Sequence, residues 1–164
     1  MKTLFVIDAE DYEQSWPVIS AVTVRAVIRR GDLFAMQRAS NGEYKIPGGG
    51  PDPGENYVVA LLREVKDEMG FILDPENIRP IGMVKERRED AFKKEKIFER
   101  DTYFYSCDVL RETGEINMTK SEIARGFQPV WADADTIIRE NRINLTERWN
   151  IRDTEFFVWL KRNG

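Results

Sequence analysis

Glu64, Asp67 and Glu68 stand at i, i+3 and i+4 in a stretch of helical periodicity, a spacing that stacks three carboxylates along a helix. Stacked acids repel, weakening a helix by roughly 0.2–0.5 kcal/mol per pair. The arrangement makes sense around a hard divalent cation. Mg²⁺ takes oxygen ligands and is held by a few carboxylates together with substrate phosphates. Ala60, one turn earlier, is expected to leave room for such a ligand. Just ahead lie Gly48, Gly49 and Gly50, which let backbone approach closely where a side chain would interfere. Glu55 opens the helix and is expected to meet its N-terminus. Arg63 is placed to hold a neighbouring carboxylate in one rotamer by a forked contact. The bland alternatives are a solvated face for Glu64 to Glu68 and a surface pair between Arg63 and Asp67. The glycine loop at a fixed offset favours metal binding.

Composition removes most competing chemistry. The 164 residues include no histidine and one cysteine, Cys107. Ser-His and Cys-His catalysis, His-ligated zinc and any internal disulfide are therefore excluded. Cys107 follows Tyr103-Phe104-Tyr105-Ser106 on an expected strand and reads as an inert buried thiol. A net charge of −4 argues against a polymeric nucleic acid as partner. It is compatible with a small phosphate-bearing substrate once a cation supplies positive charge. No apolar run approaches the roughly 20 residues of a membrane span, and Met1 to Asp8 turns acidic too early for a secretory segment. A cytoplasmic protein is expected.

These residues need a frame. The length suits one domain over 1–164. Strands are expected at Ser20–Ile28, Leu33–Gln37, Tyr44–Ile46, Ile78–Val84, Thr102–Leu110 and Gln128–Trp131. Pro47 to Gly54 fits no regular element. Val58, Leu61, Leu62, Val65 and Met69 form an apolar helical stripe, with the acids expected well away from it and Gly70 as its left-handed terminus. Ala134–Glu140 and Thr154–Lys161 are further expected helices. The pattern predicts an α/β fold with a mixed sheet covered on both faces.

Gly49, Glu55, Arg63, Glu64, Val65, Glu68 and Gly70 match G-x5-E-x7-R-E-U-x-E-E-x-G-U at its own spacing. On these residues the chain resembles the Nudix (MutT-like) hydrolase family. Six fixed residues, each roughly 1 in 15 by composition, coincide by chance on the order of once in 10⁷ starts. The box spans 49–71 with two departures, Asp67 for Glu and Phe71 for an aliphatic residue. Tyr44-Lys45-Ile46-Pro47-Gly48-Gly49 and Gly126-Phe127-Gln128-Pro129-Val130-Trp131 are also similar to family segments.

The resemblance implies an α/β/α sandwich around a mixed sheet. It implies Mg²⁺-dependent (or Mn²⁺-dependent) hydrolysis of a nucleoside diphosphate linked to a group X. It assigns metal ligation to Glu64, Asp67, Glu68 and the Gly48 carbonyl, orientation of the acids to Arg63, and support to Gly49, Glu55 and Gly70. The general base is Glu64 or Glu122, the latter in an expected Thr119–Glu122 loop; Glu122 is favoured slightly. The implied partner is a small nucleoside diphosphate derivative, with a homodimer plausible for such a chain.

A different function class is a catalytically silent Nudix-like sensor of a nucleotide metabolite; retention of Glu64 and Glu68 argues against it. An isomerase on the same fold lacks support, because no cysteine lies near the box. Lys85 to Asp101 mixes charges of both signs and is expected to be a solvated hairpin or mobile loop. In the functional alternative, Arg87, Arg88, Lys93 or Lys94 reaches substrate phosphate, or Glu86 extends the metal site. Trp16, Trp131, Trp149 and Trp159 are candidate base-stacking residues, though core packing is the commoner role.

Overall fold

The computed structural model describes residues 1–145 and 148–164. Along the chain run β1 (Thr3–Asp8), β2 (Val18–Arg30), β3 (Leu33–Arg38), β4 (Tyr44–Lys45), β5 (Gly48–Gly49), α1 (Tyr57–Met69), β6 (Phe71–Glu89), β7 (Ile97–Glu112), α2 (Lys120–Ala124), β8 (Gln128–Asp133), α3 (Ala134–Ile143) and α4 (Arg148–Asn163). The strands lie in the order β1-β6-β7-β2-β3-β4, with β5 on β2 and β8 on β3. The β1/β6 and β2/β7 pairs are parallel and the others antiparallel. This is the expected mixed sheet.

Alternation along β2 builds a core on each face. Val24, Ala26 and Ile28 pack with Leu61, Val65 and Met69 of α1. Val27 joins Phe104 of β7, Ile137 of α3, and Phe156 and Phe157 of α4 on the other side. The sheet therefore lies between helices, as the α/β/α expectation required.

Local signals explain the bounds of α1. The Asn56 side chain accepts from the amides of Val58 at 2.8 Å and Val59 at 3.4 Å, satisfying two otherwise orphaned donors. Gly70 ends the helix at φ 69°, a left-handed position that costs glycine nothing.

Two expectations are corrected, and Thr3–Asp8 adds a strand that no local alternation marks, pairing in parallel with β6 far away in sequence. Lys85 to Asp101 is mostly ladder, with Lys85 opposite Asp101, Glu86 opposite Arg100 and Arg87 opposite Glu99. Cross-strand opposite charges stabilise a pair, and buried Glu86 shows that the hairpin is not solvated throughout. Helix α4 begins at Arg148 rather than Thr154. Its first turns bury Asn150, Arg152 and Asp153, so the apolar period starts late.

Candidate active site

The site forms where β5 meets α1. Gly48 pairs with Arg25 of β2, and Gly49 with Val24. A Cβ on Gly49 would stand 2.6 Å from the carboxyl carbon of Glu64. The Glu64 carboxylate thus occupies space that only a glycine leaves open.

Arg63 holds that carboxylate. Its Nη1 donates to Glu64 Oε1 at 2.9 Å, while Nε and Nη2 donate to the two oxygens of Glu55 at 2.9 and 2.8 Å. The forked Arg63 contact, aided by the Asp52 amide, lowers the Glu55 pKa to about 2. Glu55 therefore braces Arg63 and the turn before the helix; the helix N-terminus that it was expected to meet is capped by Asn56. The competing Arg63–Asp67 surface pair does not form.

Glu68 differs from its expected place. At 100° per residue it lies only about 20° from Leu61 round the helix, at the edge of the apolar arc that runs from Leu61 to Leu62. Its side chain is accordingly 2% exposed. Oε2 accepts from the Gly48 amide at 3.3 Å. Burial raises the Glu68 pKa, against the pull of Lys45 and Arg25, and burial lowers that of Lys45. Ala60 is also buried in the core beneath α1, so it leaves no open space for a ligand.

Arg25 was not singled out from the sequence. It is buried at 5% exposure, and its Nη1 donates to the carbonyls of Ile46 at 3.1 Å and Gly48 at 2.6 Å. Asp153 of α4 accepts from the Ile46 amide at 2.8 Å. The loop is thus gripped from β2 and α4 together. The one sequence signal was a charge inside the apolar run Val24-Arg25-Ala26. The Gly48 carbonyl, expected as a metal ligand, spends one lone pair on Arg25 and retains the other.

Glu122 lies in α2, not in a loop. It closes a capping box, its Oε1 accepting from the Thr119 amide at 3.0 Å and hydroxyl at 2.8 Å. Its Oε2 accepts from Gln37 Nε2 at 3.5 Å. Burial raises its pKa, but the Thr119 bonds and the Lys45 charge outweigh this and leave it lowered. Asp67 is half-buried about 100° further round α1 than Glu68.

Among the described residues, no three acidic or cysteine side chains stand close enough together to hold a metal ion as placed. The donors nevertheless suit a hard cation: carboxylates and a backbone carbonyl, with Glu68 desolvated beside Gly48.

Arg87 and Arg88 occupy opposite faces of β6, as consecutive strand residues must. Arg87 lies 4.9 Å over Tyr12 and pairs with Glu99 at 3.2 Å. Arg88 lies 4.4 Å over Phe98. Their guanidinium groups therefore meet different neighbours, although both residues line one small cavity. Trp131 packs against Phe71 and Trp159 against Phe156, both 6.0 Å between ring centres. Cys107 is buried, and its surroundings push the thiol up to about 12, consistent with an inert role. No described helix is long and apolar enough to cross a membrane.

Residues 20–160 match the family model described as the NUDIX domain. A NUDIX hydrolase from Nitrosomonas europaea superposes with a TM-score of 0.56 at 21% identity, covering 76% of this chain and 79% of that one. A MutT NUDIX hydrolase from Burkholderia pseudomallei gives 0.52 at 20% identity, covering 71% and 85%. At these identities the likeness is one of fold. No curated protein matches the chain.

Proposed function

We propose, from the chain's membership of the Nudix family of pyrophosphate-bond hydrolases, that it cleaves the phosphoanhydride of a nucleoside diphosphate linked to X, with Mg²⁺ as the working ion and Mn²⁺ as a substitute. One observation carries this reading. Glu64 and Glu68 from a single helix are seated against consecutive glycines of β5, the first by fit and the second by hydrogen bond.

Glu64, Glu68 and the free lone pair of the Gly48 carbonyl would hold the cation, with Asp67 reaching it directly or through water. When bound, the ion neutralises diphosphate oxygens and lowers the pKa of an attacking water. The chain's own part is preorganisation. Glu55 fixes Arg63, Arg63 fixes Glu64, and Arg25 fixes the Gly48 peptide against which Glu68 rests. A carboxylate removes the proton of the attacking water. Glu122 supports this role with one oxygen tied to Thr119 and the other turned towards Gln37, in the electrostatic field of Lys45. Glu64 is the second candidate.

The test is phosphate release from a panel of dinucleotides, nucleotide sugars and nucleoside triphosphates with Mg²⁺. Turnover of at least one member is expected. No turnover, with micromolar binding of one member, would establish a sensor instead. Asp67→Asn should raise the Mg²⁺ concentration needed for half-maximal rate by roughly tenfold, the effect of losing about 1.4 kcal/mol of ion binding. An unchanged titration would move Asp67 out of direct contact with the ion.

A further inference from the structure

Guanidinium groups gather on the face of the sheet where α4 begins. Glu86 and Arg100 face each other across β6 and β7, as do Arg88 and Phe98. Glu86 is buried and already engaged twice. Arg100 Nε and Nη2 donate to its two oxygens at 2.7 and 3.0 Å, and Arg152 Nη1 lies 3.8 Å away. Arg88, two residues further along the same face, has no carboxylate in ion-pair contact among the described residues. Its Nη1 donates to the Glu89 carbonyl at 3.0 Å, and its Nε is buried with no partner. Arg100 lies 5.6 Å over the Phe98 ring that Arg88 also covers. Arg148 of α4 joins Arg88, Glu86, Ile7, Ala9 and Ile151 around a cavity of about 90 Å³.

This concentration is unfavourable by itself. Burial, then the like charges of Arg148 and Arg100, lower the Arg88 pKa. It occurs in a chain of net charge −4, so it does not follow from a basic composition. Stacking on Phe98 offsets part of the repulsion, and the buried, unpartnered Nε–H of Arg88 is a donor that an oxyanion would satisfy. Phe98 lies on the same face of β7 as Phe104, the partner of Arg25, six residues along the strand, roughly 20 Å at the rise of a β-strand.

We propose that Arg88, stacked on Phe98, and Arg148 across the cavity form a second anion subsite that takes a phosphate or carboxylate carried by the substrate outside the scissile diphosphate. The assignment of that anion to a substrate rests on the hydrolase reading above. The subsite selects nucleoside diphosphate derivatives with an additional anionic group over neutral ones. It would add specificity without touching the reacting atoms.

Two matched pairs test it. Coenzyme A against dephospho-coenzyme A adds a phosphate; UDP-glucuronate against UDP-glucose adds a carboxylate. Affinities are measured at equilibrium in EDTA, where nothing turns over, and rates are then measured with Mg²⁺. The charged member of at least one pair should bind about tenfold tighter or more, and that pair identifies the oxyanion. Arg88→Gln and Arg148→Gln should each erase most of the preference. Arg111→Gln, which removes one charge at the far end of β7, should preserve it. Arg148 is exposed, so its replacement leaves the fold intact even if Arg88→Gln does not. Equal affinities in both pairs, or a preference that survives both substitutions, would overturn the subsite. Turnover without preference retains the hydrolase and removes the subsite; preference without turnover across the whole panel does the reverse.

Discussion

Glu68→Gln protein is expected to fold normally and to turn over substrate at least about 10²-fold more slowly than wild type, the scale of losing one preorganised electrostatic group. Glutamine keeps the shape of glutamate and can still accept the Gly48 amide through its carbonyl oxygen. What it removes is the negative charge that the carboxyl takes on beside a bound cation. That charge sits at 2% exposure, where water cannot replace it and where electrostatic interactions are stronger than at the surface. In the folded protein the carboxyl is desolvated, and Lys45 and Arg25 counter its burial only in part. A divalent cation compensates it far better than a single ammonium does. The measurement is kcat at saturating Mg²⁺, with circular dichroism as the check on folding. Wild-type turnover in a correctly folded variant would remove Glu68 from the machinery.

Gly48→Ala is expected to lower stability by on the order of 3 kcal/mol. For a chain of this size that lowers the melting temperature by about 6–12 °C. The residue has φ 142°, and an alanine methyl would sit 2.0 Å from the Val24 carbonyl oxygen. That atom is backbone of a central strand and cannot swing aside as a side chain would. Relief requires separating β5 from β2, which breaks the Arg25 contact with the Gly48 carbonyl and moves the amide that meets Glu68. Thermal unfolding measures the first effect and kcat the second. A variant that melts with wild type would mean that β5 has room the close approach to β2 denies.

The box was readable because its spacing follows from helix geometry: Glu64 and Glu68 are one turn apart, and Gly70 ends the helix where a left-handed residue is needed. Local rules of this kind also gave the two helix-covered faces of the sheet. Spacing alone groups Glu64, Asp67 and Glu68 as one stripe, whereas the fold turns Glu68 towards the core. Measured from Leu61, Glu68 lies about 20° off the apolar arc, Glu64 about 60° and Asp67 about 120°. Arg25, Lys45 and Asp153 carry no comparable local signal. Their partners are distant in sequence, 107 residues in the case of Ile46 and Asp153, and no local period marks such contacts. Lys85 to Asp101 reads as wholly solvated because its charges are matched across the ladder, which along one strand is mere polarity.

Asp153 makes the C-terminal helix a stakeholder in chemistry it never touches. Its carboxylate anchors the Ile46 amide two residues ahead of the glycine that faces Glu68. A tilt of that helix, from a substitution on its outer side or a partner pressing against it, would pull on the peptide that seats the acid. Lesions remote from any ligand could therefore masquerade as catalytic ones.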